Sequence, residues 1–379
     1  MSNTQKKNVP ELRFPGFEGE YSLDIFGNLA TNKSDKFNPQ NENASIDIEL
    51  DCIEQNTGRL IKIYNSKEFS SQKNKFNPQN VLYGKLRPYL NKYYFTKKSG
   101  VCSSEIWVLK STKEDKLLNL FLYYFIQTKR YSDVASKSAG SKMPRADWGL
   151  IENIRVYFPE LCEQQKIGEF FSKLDRQIEL EEQKLELLQQ QKKCYMQKIF
   201  SQELRFKDDN GNDYPEWEEK KLGELSQIVR GASPRPIKDP KWFNKESDIG
   251  WLRISDVTDQ NGKIYHLEQK LSIEGQEKTR VLLTTHLLLS IAASIGKPVM
   301  NFVKTGVHDG FLIFLNPKFN IFFMYYWLDY FKEKWSKYGQ PGSQVNLNSE
   351  IVKSQTLNMP SNHEQEKVGL FFSRNEKLI

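Results

Sequence analysis

At 379 residues, with 38% hydrophobic and 27% charged side chains, the chain has the length of two or three domains and a globular composition on the polar side. No window approaches the ~18 uninterrupted apolar residues of a membrane span, and residues 1–10 lack the apolar core of a secretory signal, so a membrane or secreted protein is not expected. The net charge of +7 permits a polyanionic partner without requiring one. Cys52, Cys102, Cys162 and Cys194 stand far apart, without CxxC spacing or paired histidines, which predicts reduced thiols in a cytoplasmic protein and no metal site.

The chain opens on a leader, Glu11-Leu-Arg-Phe14, followed by an aromatic-bearing loop and Gly27-Asn-Leu29. In the region after Tyr21, Ile46-Asp-Ile-Glu-Leu50 alternates and predicts a strand, with Asn56-Thr-Gly58 as the turn before a second strand, Leu60-Ile-Lys-Ile63. Val81-Leu-Tyr-Gly-Lys-Leu86 and Glu105-Ile-Trp-Val-Leu109 predict two more, and the apolar residues 117–128 predict a buried helix.

Phe158-Pro159 then introduces a long helix, expected from Glu163 to about Leu204. Two rows at seven-residue spacing make the a/d seam: Ile167, Leu174, Glu181, Leu188 and Tyr195 in one, and Phe171, Ile178, Leu185, Lys192 and Ile199 in the other. All but Glu181 and Lys192 are apolar, while Glu, Gln and Lys crowd the other positions, which is a coiled-coil seam. At ~1.5 Å per residue the helix would be on the order of 60 Å long.

After this helix the chain begins again. Glu203-Leu-Arg-Phe206 repeats the leader and Gly223-Glu-Leu225 repeats its sequel. Trp251-Leu-Arg-Ile254 and Leu287-Leu-Leu-Ser-Ile291 predict strands, and residues 319–335 predict an aromatic helix. The end, Glu364-Gln-Glu-Lys-Val-Gly-Leu-Phe-Phe-Ser, matches Glu163-Gln-Gln-Lys-Ile-Gly-Glu-Phe-Phe-Ser without gaps, placing Val368 and Phe372 in the same two seam rows. The expected plan is therefore a mixed α/β (α+β) protein of two similar halves with partly barrel-like sheets: residues 1–158, a spacer helix 159–203, a second domain 204–360 and the start of a second helix, 361–379.

No Gly-x-Gly-x-x-Gly opens a helix and no phosphate-binding Gly-x4-Gly-Lys-[Ser/Thr] occurs. His266, His286, His308 and His363 are scattered, and His308-Asp309-Gly310 reads as a strand-edge turn. Phe-Asn-Pro-Gln-Asn, at 37–41 and 76–80, lacks the second proline and the stacking aromatic with which amino-methyltransferases hold an adenine, and reads as turn chemistry. Catalytic residues and cofactor sites are expected to be absent.

Recognition chemistry is present. The first half offers Lys85, Arg87 and Tyr89 within Tyr83-Gly-Lys-Leu-Arg-Pro-Tyr89, then Lys92, and Ser141, Lys142 and Arg145 in a second loop. The second half offers Arg230, Ser233 and Arg235, and Lys337, Gln340, Ser343, Gln344 and Asn346. Arg and Lys suit phosphates and guanine, Asn and Gln suit adenine edges, and the glycines of Gly140-Ser141 and Gly342-Ser343 permit close backbone approach.

The pattern resembles the specificity (S) subunit of type I restriction-modification systems over essentially the whole chain. The resemblance rests on the duplicated helix openings, the heptad run Leu185-Glu-Leu-Leu-Gln-Gln-Gln-Lys-Lys193, the Tyr83–Tyr89 motif, Ile295-Gly-Lys297 and the two Gly-Ser loops. It implies two target recognition domains, each reading one half of a bipartite double-stranded DNA site, with paired helices setting the spacer. It also implies methyltransferase (M) subunits carrying S-adenosylmethionine, and restriction (R) subunits using ATP and Mg, so that this chain is non-catalytic. The halves differ, so the target is expected to be asymmetric. One departure is that Ile379 aligns with Ile178, leaving no second copy of residues 179–202, and that Asn375 stands where the first copy has Leu174. The expectation is of a shortened second helix that leaves much of the seam to modification subunits or another chain, or else of a silent copy. The other reading kept is a coiled-coil adaptor whose two domains bind proteins.

Overall fold

Strand Val81–Gly84 is apolar along its length because both of its faces are covered: Val81 and Tyr83 enter one core and Leu82 another. Leu287–Ser290 behaves the same way, with Leu287 and Leu289 on one side and Leu288 on the other. These strands are the centres of two units, Met1–Leu180 and Glu181–Ile379. The computed structural model describes residues 9–38, 46–65, 71–137, 142–292, 294–338 and 347–378.

In the first unit, one sheet has the order Ala30–Thr31, Ile106–Ser111, Val81–Gly84, Tyr93–Phe95, all antiparallel. A second has the order Lys36–Phe37, Lys73–Phe76, Gly100–Cys102, Asp47–Ile48, its last pair parallel. The sheets close on each other around Ile48, Phe76, Leu82, Cys102, Ile106 and Val108, as a partly barrel-like fold requires. The opposite face of the first sheet packs on helix Asn119–Phe125 through Tyr83, Leu109 and Leu122. A two-stranded clasp, Ser22–Ile25 with Arg155–Phe158, delivers the chain to the long helix Leu161–Phe200.

The second unit repeats the core of this order, with one strand added to the first sheet and, among the described residues, no counterpart of Lys36–Phe37 in the second. Gln227–Arg230, Phe311–Leu315, Leu287–Ser290 and Pro298–Asn301 form the first sheet, extended by a parallel pairing to Lys263–Ile264. Gly250–Leu252 runs parallel and Arg280–Leu282 antiparallel to Thr305–Val307 in the second sheet. The clasp is Glu218–Lys221 with Thr356–Met359, and the covering helix is Ile321–Phe331. Helix Asn362–Glu376 follows, its N-cap Ser361 accepting from the Glu364 amide.

Several local expectations are corrected. Leu60–Ile63 forms one isolated bridge, Leu60 with Ile53, with Tyr64 just after it bridging to Asp47, and leaves Ile61 and Ile63 exposed, so no strand develops there. The strand expected through Ile254 stops at Leu252, because Asp256 accepts from the Arg253 amide and turns Ile254–Asp259 into a short helix. The long helix ends at Phe200 rather than Leu204, where Gln202 takes a left-handed backbone (φ 64°) that breaks the helical ladder. Residues 117 and 118 precede their helix, which begins at Asn119.

Candidate nucleic-acid interface

The duplicated helix openings are a lock. In the first unit the buried Glu163 carboxylate receives Arg13 Nε at 2.8 Å and Nη2 at 2.6 Å, with the Tyr21 hydroxyl at 3.3 Å. In the second, buried Glu364 receives Arg205 Nε at 3.3 Å and Nη2 at 2.9 Å, with Trp217 Nε1 at 3.0 Å. A buried carboxylate is tolerable only when so paired, and Tyr21 answers it: burial and the neighbouring charge push its hydroxyl up to about 12. The following glutamine ties down the covering helix. Gln164 accepts from the Leu118 amide at 2.9 Å and donates to Pro159 O at 2.8 Å; Gln365 accepts from the Asn320 amide at 2.8 Å and donates to Pro360 O at 2.8 Å. Gly168 and Gly369 sit where a Cβ would come within 2.7 Å of Leu120 and 3.0 Å of Phe322. The motif thus fixes leader, covering helix and outgoing helix to one another in each unit.

A second carboxylate lies three turns along. Tyr124 Oη donates to Asp175 at 2.9 Å, and Tyr326 Oη donates to Glu376 at 2.8 Å. Glu376 also holds Lys192, at 2.6 Å, and Lys263. Burial works against its charge, yet these two ammonium groups keep its carboxyl below the usual glutamate value. Within the second unit, the end of the long helix lies antiparallel on helix Asn362–Glu376: Phe200 stacks on Phe372 (6.0 Å), Tyr195 meets Phe371 edge-on (5.4 Å) and Lys192 reaches Glu376.

The heptad positions therefore have different environments. Ile199 is in the second core together with Met196 and Phe200, a face wider than an a/d seam. Tyr195 packs on the same core, Val368 and Phe372 are fully buried, and Leu188 is half-buried. Ile167 packs partly against the first core, whereas Phe171, Leu174, Ile178 and Leu185 are exposed.

The structure joins the two first-unit loops named by the sequence. The Arg87 amide donates to Pro144 O at 2.7 Å, the Ala146 amide donates to Lys85 O at 2.8 Å, and Leu86 bridges to Arg145. Arg87 takes a left-handed backbone (φ 53°), and Arg87, Tyr89 and Lys142 are exposed, with no ionic partner for Arg87 or Lys142 among the described residues. Lys85 is half-buried. Arg145 is engaged bidentately by Glu105 (2.9 and 3.2 Å), and Lys92 donates to Leu50 O at 2.6 Å, so both are occupied within the unit.

In the second unit Asp309 gathers the basic loop. Arg235 Nη2 reaches its Oδ2 at 2.6 Å, Ser233 Oγ its Oδ1 at 2.9 Å, and Arg230 Nε its carbonyl at 2.6 Å. Burial opposes the charge of Asp309, but the Ser233 hydrogen bond and the surrounding positive groups hold its carboxyl below the ordinary range. His308 accepts from the Gly310 amide at 2.8 Å, and burial lowers its pKa; the pair is the turn that the sequence suggested. Beside it opens a groove of about 740 Å³ lined by Lys238, Phe243, Trp251, Arg253, Gln269 and His308. Sequence reasoning missed this groove because Trp251 and Arg253 read only as strand residues. Lys337 is exposed and lies 3.4 Å from Gln355. Ser141, Gln340, Ser343, Gln344 and Asn346 lie outside the described residues. Among the described residues there is no acidic, His or Cys cluster placed to hold a metal, and no helix long and apolar enough to cross a membrane.

A family model described as the type I restriction modification DNA specificity domain matches residues 19–190 and 214–379, one match for each unit's frame. The chain belongs to that family. It is a type I restriction enzyme specificity subunit with two DNA specificity domains. It is 26% identical over 305 residues to the MjaVIII specificity subunit of Methanocaldococcus jannaschii, covering 75% of this chain and 69% of that protein. To the EcoDI specificity subunit of Escherichia coli it is 25% identical over 169 residues, covering 43% of this chain and 37% of that protein. The fold is that of the type I restriction-modification S subunit from M. genitalium, with a TM-score of 0.58 at 13% identity over 98% of this chain and 92% of that one. A chain from a structure of type I R-M complex assembly and conformational transition is equally similar, with a TM-score of 0.58 at 16% identity over 97% and 92% of the two chains.

Proposed function

We propose that residues 1–158 and 204–360 each read one half of a bipartite, asymmetric double-stranded DNA site, and that the spacer helix of residues 159–203, with the second helix opening at 361–379, sets the spacing and docks the methyltransferase subunits. The observation that carries this reading is a common frame with unlike decorations. The core strand order and the Glu-Gln lock recur in both units. The exposed basic loops do not: one is the 85–89 and 142–146 pair, the other a loop gathered on Asp309 beside an aromatic groove. A frame that holds its loops rigidly, with different side chains in each copy, suits two different base sequences.

On this reading the chain supplies no chemistry. S-adenosylmethionine belongs to the methyltransferase subunits, ATP and Mg to the restriction subunits, and the complex works in the cytoplasm. Arg87, Tyr89 and Lys142 are the first unit's leading DNA contacts, and Arg230, Arg235 and the groove residues the second's. The test is co-expression with the cognate methyltransferase subunit, followed by mapping of methylated adenines. A bipartite motif with unlike halves is expected; a palindromic motif, or none, contradicts the proposal.

A further inference from the structure

The two ring nitrogens of His308 are in different situations. Nδ1 accepts from the Gly310 amide at 2.8 Å, and Asp309 Oδ1 lies 3.2 Å from the same nitrogen. A neutral ring with its hydrogen on Nδ1 would set that hydrogen against the Gly310 amide hydrogen, so the neutral ring carries it on Nε2. Burial lowers the pKa of the ring, which makes the neutral form the working one at pH 7. Protonation would add a hydrogen to Nδ1 and leave the one on Nε2 in place. Nε2 is thus a donor in both states, and it has no hydrogen-bond partner among the described residues. The ring is held edge-on to buried Trp251, with centroids 5.6 Å apart, and lines the groove of about 740 Å³ beside the Asp309 loop.

The rest of that groove is rich in donors. Lys238 is exposed there, without an ionic partner among the described residues. Arg253 gives Nε and Nη2 to Asp256, at 3.2 and 2.8 Å, which occupies that carboxylate and leaves Nη1 unpartnered among the described residues. Asp309, adjoining the ring, is taken by Arg235 and Ser233. Gln269 and Ser255 can donate or accept, so no lining side chain offers acceptors alone. In the major groove guanine presents two acceptors, N7 and O6. Adenine pairs its N7 with an amino donor, cytosine shows a donor, and thymine has one acceptor beside a methyl group. Given the DNA-reading role proposed for residues 204–360, on which this rests, we infer that His308 is a specificity-determining residue whose Nε2 donates to N7 of a guanine in the half-site, with Arg253 Nη1 the donor for O6.

The experiment uses the full chain assembled with the cognate methyltransferase subunit. H308N separates reading from folding: an asparagine oxygen can take the Gly310 amide in place of Nδ1, as in an Asx turn, while the Nε2 donor is lost. Mapping of methylated adenines should show one G·C position of one half relaxed to any base, with the other half unchanged. A motif identical to the wild type overturns the inference, as does relaxation at an A·T pair or in both halves. A second measurement leaves the chain unaltered. 7-Deazaguanine lacks N7, and placed in turn at each guanine of a synthetic duplex it should weaken binding of the wild-type complex about tenfold at the position that H308N relaxes. Indifference of the wild-type complex at every guanine overturns the inference, whether or not H308N assembles. A wild-type complex that methylates no bipartite motif would overturn the DNA-reading role as well, whereas the other outcomes leave that role standing.

Discussion

Arg205 donates twice to Glu364, and Trp217 donates to the same carboxylate, so three nitrogens from the restarted leader converge on one buried acid of the C-terminal helix. Arg13 and Tyr21 do the same for Glu163. Each recognition unit is thereby closed by its own leader and its own helix opening. W217F removes one of these donors while keeping one aromatic ring in the site. It should cost about 1.5–3 kcal/mol, the range for a hydrogen bond to a charged group, measured by urea unfolding. A loss below about 0.5 kcal/mol, the level of an ordinary surface substitution, would show that the carboxylate does not depend on the indole.

The Glu376 cluster sets a pH dependence. Its folded carboxyl lies below the ordinary glutamate value of 4.5, because Lys192 and Lys263 outweigh burial. A depressed carboxylate contributes stability that is complete above the unfolded value and is lost as pH falls through the folded one. Thermal unfolding of the chain should therefore show the second unit losing stability on acidification below about pH 4.5. E376Q should flatten that part of the profile, and an unchanged slope would contradict the assignment.

Gly231 lies where a Cβ would overlap the His308 carbonyl, and Ala232 donates to Val307 O at 3.0 Å. G231A has backbone rather than a yielding side chain to displace and should cost about 1–3 kcal/mol. It should also shift the Asp309-centred loop. The expected result is a methylated motif degenerate in one half only, read by adenine-methylation mapping.

Arg87 and Lys142 are exposed and unpaired among the described residues, in contrast to Arg145, which is occupied by Glu105. R87A and K142A should weaken DNA binding by the assembled complex, each reducing the salt slope by about one if it meets a phosphate. R145A should act chiefly through loop geometry, with little change in slope. Binding isotherms across a salt series separate these cases.

Much of the frame was legible because the lock is written in adjacent residues: Glu163-Gln164 and Glu364-Gln365 recur as letters, and so do Arg13 and Arg205 in their leaders. The strand order was not legible, since central strands such as Val81–Gly84 are apolar on both faces and show no alternation. Lys192 looked like a flaw in a heptad, and its reason lies on another helix, at Glu376. Ile199 looked like a seam residue, but Met196 and Phe200 beside it turn that end of the helix into core. The gap-free alignment sets Asp175 opposite Glu376, but that each accepts from a tyrosine of the covering helix, Tyr124 or Tyr326, became visible only in the fold, because those tyrosines lie about fifty residues away in sequence. At the recognition loops, the sequence marked basic residues but not which were already spent: Glu105 and Leu50, the partners of Arg145 and Lys92, lie 40 and 42 residues away.

The most direct test of two independent readers on one frame is to exchange residues 214–360 for the corresponding second domain of another family member, and to map methylated adenines with the cognate methyltransferase subunit present. The account predicts that one half of the bipartite motif is replaced while the other half is retained unchanged. Alteration of both halves, or retention of both, would contradict it.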